Sequence, residues 1–268
     1  MGYKLVAVDM DGTLLNSGGQ ISERTKRAIV EAGKQGVYIV LATGRILPSA
    51  LNYSRKIGLN KPIISSNGAI MVNGNKEIIY EEKIDGNDIE HIMNIGDRNG
   101  IYYHFYTRDT YYSNRYEEDI VRFYNPKGIS RDEIINFQLY EDINEVIKKD
   151  ILKFIFIEKN PEKIMKLRNQ LDSIEGINIC SSGRNNLEVM DKKVSKGNSL
   201  KYLCEKLEIP RNKVIAIGDN ENDMEMVSFA GLGVSMGNGT SKIKTVSDTT
   251  TSSNDKDGVA KVIEKYIL

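Results

Sequence analysis

The sequence predicts an α/β fold: a doubly wound parallel sheet with an α+β domain inserted into it. Three observations carry this. Apolar runs at residues 5–8, 37–42 and 62–65 each stop abruptly on polar or small residues, and helical patterns separate them. A segment of different character follows, with a hairpin signal and Tyr-rich alternation. The first pattern then resumes at Lys196.

Leu5–Val8 is short, branched and continuously apolar, which is how a parallel strand buried on both faces reads, so Asp9 falls at its carboxyl end. In open α/β sheets the ligand crevice lies outside those ends, and Gly12 lets the chain turn away there. Ser22 is a good N-cap, and Ala28, Ile29 and Ala32 form the inward stripe of a helix ending near Gly36. The strand over 37–42 stops on Thr43-Gly44-Arg45, and Pro48 suits the first turn of the next helix. The strand over 62–65 stops on Ser65-Ser66-Asn67-Gly68. Residues 70–72, an Asn73-Gly74 turn and residues 77–80 read as a hairpin. Asp85 then caps a helix to Arg98, followed by strands over 101–107, 110–114 and 151–157, a helix over Pro161–Leu171, and strands over 177–181 and 187–190. The inserted domain is accordingly expected at 83–187, leaving 1–82 and 188–268 for the core. Lys196 starts a helix through Leu200, Leu203 and Leu207 that stops at Pro210. A buried strand over 214–217, a helix over Met224–Phe229, a last strand over 231–236 and an amphipathic helix over 258–268 complete the chain.

At 268 residues the chain can form one large domain or two ordinary ones. Lys plus Arg and Asp plus Glu each number 37, so the formal net charge is zero and no nucleic-acid partner is expected. Hydrophobic residues at 40% and charged residues at 28% exclude wholesale disorder. No stretch approaches the ~20 apolar residues of a membrane helix, and no apolar signal core follows a basic start. Cys180 and Cys204 fit no metal or redox spacing and read as free thiols. A cytoplasmic protein with no membrane partner is expected.

Asp9, Asp11, Asp219 and Asp223 come from the ends of two strands that are neighbours in such a sheet. Two carboxylates ~4 Å apart repel by ~1 to 4 kcal/mol, so the group calls for a cation. Magnesium suits best, being a hard ion that takes one or two carboxylates and shares phosphate oxygens, with no Cys or His cluster beside the acids. Phosphate chemistry in turn needs a nucleophile, positive charge and fixed donors. The Thr43 hydroxyl, the N–H groups around Gly12 and Gly44, and the Lys196 ammonium can supply the last two. A carboxylate nucleophile such as Asp9 would form an aspartyl phosphate, and Asp11 can protonate the leaving alcohol and later deprotonate water.

Asp9-Met10-Asp11-Gly12-Thr13, Thr43-Gly44-Arg45, Lys196 in Ser195-Lys196-Gly197, and Gly218-Asp219-Asn220-Glu221-Asn222-Asp223 resemble the four motifs of the haloacid dehalogenase superfamily. Ser66-Asn67-Gly68-Ala69, a lobe between the second and third motifs, and Ser253-Asn254-Asp255-Lys256-Asp257-Gly258-Val259 are similar to the Cof-type sugar-phosphate phosphatases. The resemblance implies a Rossmann-like core with a substrate-selecting cap, Asp9 as nucleophile and Asp11 as general acid and base. It implies magnesium at the Asp9 carboxylate, the Asp11 carbonyl and the Asp219 carboxylate, with Asp223 in support. Phosphate would contact the Met10 backbone, Thr43, Gly44, Lys196 and Asn222, and Arg45 and Asn67 would face the leaving group. The expected activity is magnesium-dependent hydrolysis of a small phosphorylated metabolite, foremost a sugar phosphate, by a monomer or weak homodimer.

Other features read more plainly. Tyr102, His104 and Tyr106 alternate with Tyr103 and Phe105, so the two sets take opposite faces of a strand, as a pocket wall or, preferably, as packing. His91 and His104 are not at ligand spacing. Arg184 is a candidate for a second anionic group on the substrate, with an exposed turn the simpler reading. The alternatives to a phosphatase are a phosphomutase on the same core, a phospho-acceptor signalling domain, and a metabolite-binding protein without turnover.

Overall fold

The computed structural model describes residues 2–125 and 134–268, which build two compact units. The first holds the chain up to Gly44, Tyr53–Tyr80 and Ser195–Leu268; the second holds Arg45–Asn52 and Glu81–Val194.

The chain opens with β1 (Leu5–Val8), α1 (Glu23–Lys34), β2 (Tyr38–Ala42), α2 (Leu47–Lys56), β3 (Ile63–Ser65), β4 (Ile70–Val72) and β5 (Ile78–Glu81). Next come α3 (Gly86–Asn99), β6 (Tyr102–Tyr106), β7 (Thr110–Ser113), α4 (Glu118–Tyr124), β8 (Asn136–Leu139), α5 (Ile143–Ile147), β9 (Lys153–Ile157), α6 (Pro161–Leu171), β10 (Ile177–Cys180) and β11 (Asn186–Asp191). The final stretch carries α7 (Lys196–Lys206), β12 (Val214–Gly218), α8 (Met224–Phe229), β13 (Leu232–Ser235), α9 (Ser241–Val246), β14 (Thr249–Thr250) and α10 (Gly258–Tyr266).

In the first unit the sheet order is β14-β13-β12-β1-β2-β3-β4-β5. Pairing is parallel from β14 through β3 and antiparallel between β3 and β4. The four residues of β1 are each 0% exposed, as a strand covered on both faces requires. Leu5, Ala7, Val40 and Ala42 pack with Leu200 and Leu203 of α7, Met226 and Val227 of α8, and Ile243 of α9. Ser22 caps α1, whose Ala28, Ile29 and Ala32 are buried. This order puts the ends of β1, β2, β12 and β13 side by side, so the loops after them share one edge of the sheet.

The second unit is built on a sheet ordered β10-β11-β9-β6-β7-β8, antiparallel except for the parallel pair β7 and β8. Tyr103 and Phe105 face Ile89, Ile92 and Met93 of α3 and Leu167 and Leu171 of α6. Gly96 in α3 permits this approach, because a Cβ there would lie 2.7 Å from the Phe156 ring and 2.9 Å from that of Tyr103. On the opposite face Tyr106, Tyr111 and Ile155 form a second cluster with Ile46 and Ile135. That face also buries polar groups: Lys153 and Glu188 pair at 3.2 Å, and His104 Nε2 meets the Tyr124 hydroxyl at 2.9 Å.

The expected boundary at 187/188 needs correction. It cuts β11, which pairs with β9 on one side and β10 on the other, so the second unit runs on to Val194. Residues 45–52 also belong to that unit, since Ile46 lies in its aromatic cluster. The strand over 231–236 is followed by a further one, β14, of two residues. Elements α4, β8, α5 and α9 lack a sequence signal because they are short: α9 buries only Ile243 of its six residues, and β8 is largely exposed. Cys180 and Cys204 are buried and neither is in a disulfide. Among the described residues no helix is long and apolar enough to cross a membrane.

His104 has no exposed surface and its Nδ1 has no hydrogen-bond partner. Burial, reinforced by the Lys153 ammonium, pushes the imidazole down to about 3. Between about 6.5 and 3 the unfolded residue binds a proton that the folded one refuses, so stability is full above 6.5 and falls with falling pH. The expected loss from this group is up to ~1.4 kcal/mol per pH unit. Urea unfolding at a series of pH values measures it, and His104→Gln should flatten that part of the slope.

Candidate active site

The site is built from the loops that leave β1, β2, β3 and β12, together with the first turn of α7. Asp9 N donates to Ile217 O at 3.0 Å, extending the β1–β12 ladder by one bond and fixing Asp9 at the strand end. The chain then folds back tightly: Leu14 N bonds Asp9 O at 3.2 Å and Leu15 N bonds Met10 O at 2.8 Å. Gly12 is at φ +85, and a Cβ there would lie 2.5 Å from Asp219 Oδ2, so both conformation and space demand glycine.

Gly218 ends β12, and a Cβ on it would lie 2.4 Å from Asp223 Cβ. The helical turn Glu221–Asp223 carries Asp223 back toward the strand end, where its Oδ2 accepts from Asp219 N at 2.9 Å and Asn220 N at 3.1 Å. Its Oδ1 accepts from Lys196 Nζ at 2.6 Å, and Lys196 Nζ donates equally to Asp9 Oδ1 at 2.6 Å. Lys196 is the first residue of α7, where Ser195 caps the helix by accepting from Asn198 N and donating to the Glu225 carboxylate.

Thr43 follows β2, its N–H bonded to Ile64 O at 2.9 Å and its carbonyl accepting from Asn67 N at 3.0 Å. Ser66, Asn67 and Gly68 form a turn with φ of 49, 57 and 102. Two consecutive non-glycine residues in the left-handed region are a strained arrangement that the surroundings must hold. Asn222 Nδ2 donates to Asn67 Oδ1 at 3.2 Å, Ser199 Oγ donates to Gly68 O at 2.8 Å, and a Cβ at Gly68 would lie 2.5 Å from Ser195 O. The turn therefore ties the Thr43 loop, the start of α7 and the Asn222 loop to one another.

Asp9, Asp219 and Asp223 present carboxylate oxygens all within 4.8 Å of one another. Burial, and then the Asp223 charge, raise the Asp9 carboxyl well above its ordinary range, with Lys196 opposing them. Burial and Asp223 likewise push Asp219 up to about 7, against the Thr13 hydroxyl that donates to its Oδ1 at 3.0 Å. Burial alone would lower the Lys196 ammonium; Asp223 and Asp9 outweigh it and keep the group charged. One ammonium thus faces three carboxylates. Asp9 Oδ2 is buried without a donor, so a shared proton or a hard cation is what relieves the Asp9 and Asp219 pair.

Lys196 holds Asp9 and Asp223, Asp219 has a carboxylate oxygen within 4.8 Å of both acids, and Thr43, Asn67 and Asn222 are linked through the strained turn. Asp11 is exposed at the mouth of the loop, and Met10 is buried beside it. Gly44 leaves β2 next to Thr43. Arg45 and Arg184 belong to the second unit, where Arg45 Nη1 donates to Ser49 Oγ at 3.2 Å and Arg184 is exposed in the turn between β10 and β11. Sequence reasoning missed Thr13 as the donor to Asp219, and the Ser195 and Glu225 pair under Lys196. Thr13 was available from its place beside Gly12; Glu225 had no signal, because its partner lies 30 residues earlier.

Residues 6–263 match the haloacid dehalogenase-like hydrolase family. Phosphatase YwpJ of Bacillus subtilis (strain 168) is 31% identical over 290 residues, covering 99% of this chain and 100% of that protein. The 5-amino-6-(5-phospho-D-ribitylamino)uracil phosphatase YcsE of the same strain is 29% identical over 265 residues, covering 99% and 96%. A solved haloacid dehalogenase-like hydrolase from B. subtilis superposes with a TM-score of 0.89 at 28% identity, over 99% of this chain and 100% of that one. With its acidic cluster set at the carboxyl ends of a parallel sheet, the chain belongs to the haloacid dehalogenase-like hydrolases and is a phosphatase, a phosphoric monoester hydrolase.

Proposed function

We propose that this phosphatase depends on magnesium, works through an aspartyl phosphate at Asp9, and acts on small phosphorylated metabolites, sugar and polyol phosphates foremost. The observation that carries the reading is the Asp9 carboxylate: one oxygen is held by Lys196, and the other is buried with no donor. An oxygen in that state is fixed in orientation and poorly solvated, which suits a nucleophile. The relative YcsE is named for a phosphoribityl substrate, which supports a polyol phosphate as the class.

The donor set fits a hard divalent cation, since among the described residues only oxygen ligands converge and no thiol or imidazole joins them. The Asp9 carboxylate, the Asp11 carbonyl and the Asp219 carboxylate would hold magnesium, which when bound supplies positive charge against the repulsion between carboxylate and phosphate. Asp223 supports the site: Oδ1 accepts from Lys196, and Oδ2 accepts from two backbone N–H groups.

Asp9 Oδ2 attacks phosphorus, a new P–O bond forms, and the bond to the leaving alcohol breaks as Asp11 delivers a proton to it. Lys196, the Thr43 hydroxyl, the Met10 and Gly44 N–H groups and the Asn222 amide hold the equatorial oxygens. Water then attacks the phosphorus of the acyl phosphate while Asp11 takes its proton, and phosphate leaves with Asp9 restored. Arg45, Asn67 and Arg184 are the residues proposed to contact the rest of the substrate.

Phosphate release from a panel of sugar, polyol, nucleotide and cofactor phosphates should require magnesium, stop with a chelator and return on readdition. Asp9→Asn should lower kcat by ~10³-fold or more; full turnover in that variant would exclude Asp9 as nucleophile. Gly12→Ala drives a methyl group toward Asp219 and should abolish the rise in Tm that magnesium gives the unaltered protein, as a thermal-shift titration would show.

A further inference from the structure

The closing segment Ser253-Asn254-Asp255-Lys256-Asp257-Gly258-Val259 takes no part in the chemistry described above, yet it lies against the loop that carries Asp11. Asn254 Nδ2 donates to Leu15 O at 2.9 Å. Asp255 accepts from Ser17 N at 2.8 Å and from Ser17 Oγ at 2.6 Å. Asn254 N donates to Asn238 Oδ1 at 3.0 Å, and Asn238 Nδ2 donates to Gly12 O at 2.8 Å. Three side chains from the far end of the sequence therefore hold the 12–17 loop at three points, beginning at the carbonyl next to Asp11.

The segment itself is fixed in shape. Asp257 is left-handed at φ 56, a Cβ at Gly258 would lie 2.2 Å from Ser252 O, and Thr251 Oγ1 donates to Gly258 O at 2.9 Å. On its inner side the loop is pinned to the strand end by the Leu14 and Leu15 N–H bonds to Asp9 O and Met10 O. Among the described residues, its outer side is held by the three contacts above. Asn238 and Asp255 are exposed, so their hydrogen bonds add little to global stability. What they do fix is the path of the backbone on the outer side of Asp11, and a misplacement of ~1 Å at a reacting group can cost ~10²-fold in rate.

We propose that Asn238, Asn254 and Asp255 form a clamp that positions the Asp11 carboxyl for proton transfer to the leaving group. They are positioning residues, acting through the Gly12, Leu15 and Ser17 backbone. The inference rests on the proposed role of Asp11 as general acid. It makes a demand that simple loop stabilisation does not: loss of the clamp hurts substrates in proportion to their need for a proton. Phenolate from phenyl phosphate is a poor leaving group whose conjugate acid has an ordinary pKa of ~10, whereas 4-nitrophenolate departs readily without protonation.

The test compares kcat/KM, which reports transfer to Asp9, for phenyl phosphate and 4-nitrophenyl phosphate in the magnesium-loaded enzyme. Asn254→Ala and Asp255→Ala should each lose ~10-fold or more with phenyl phosphate and less than ~3-fold with 4-nitrophenyl phosphate, while Tm stays within ~3 °C. Asp255→Asn keeps an acceptor facing Ser17 and should recover most of the loss. Equal losses on both substrates, or none on either, would overturn the clamp. Asp11→Asn serves as the reference. If it shows the leaving-group bias and the clamp variants do not, only the clamp is wrong; if it shows no bias, the role of Asp11 falls and the clamp with it.

Discussion

Lys196 is a fully buried ammonium at the first position of a helix, where the backbone dipole disfavours positive charge. It is tolerable there only because Asp9 and Asp223 each put a carboxylate oxygen 2.6 Å from it. Those three residues come from opposite ends of the chain, so their meeting requires β1 and β12 to pair and α7 to start against the Asn67 turn. Remove the lysine and two buried carboxylates lose their common partner; remove Asp223 and the Asp219 and Asn220 N–H groups lose theirs as well. The sheet order, the short loops and the close-approach glycines can all be understood as conditions for this arrangement.

The excess of acid over base follows from the same geometry. Burial first, and then three carboxylates that one ammonium cannot neutralise, raise the Asp9 and Asp219 carboxyls, and a hard cation would relieve that pressure. Gly12, Gly68 and Gly218 let backbone segments approach the site more closely than any side chain would allow. The strained Ser66-Asn67-Gly68 turn persists because Thr43, Asn222, Ser195 and Ser199 surround it. On the outer face the closing Asn254-Asp255 segment meets the Asp11 loop, joining the last helix of the chain to the first strand end.

Much of this was legible in the sequence. The buried strands before Asp9, Thr43 and Asp219 announce themselves as uninterrupted apolar runs ending in polar loops. Ser22, Asp85 and Ser195 mark helix starts through their caps. What escaped was of two kinds. Short elements such as α5 and β14 have too few residues to show a period, and β11 was divided because its pairing with β9 is set by partners some 30 residues away. Contacts between distant polar residues escaped too. Nothing in residue 225 says that it will receive a hydrogen bond from Ser195, and nothing in Asn254 says that it will hold Leu15. Motif spacing reveals which side chains meet at strand ends, but not which loops brace them.

The proposed role of Asp9 as the residue that takes the phosphoryl group can be observed directly. Enzyme quenched during turnover and reduced with borohydride should carry homoserine at position 9, detected by mass spectrometry of the peptide spanning β1, because an acyl phosphate is reduced where a free carboxylate is not. Unaltered Asp9 in enzyme quenched while the leaving alcohol accumulates in a burst ahead of phosphate, or homoserine at any other aspartate, would contradict it.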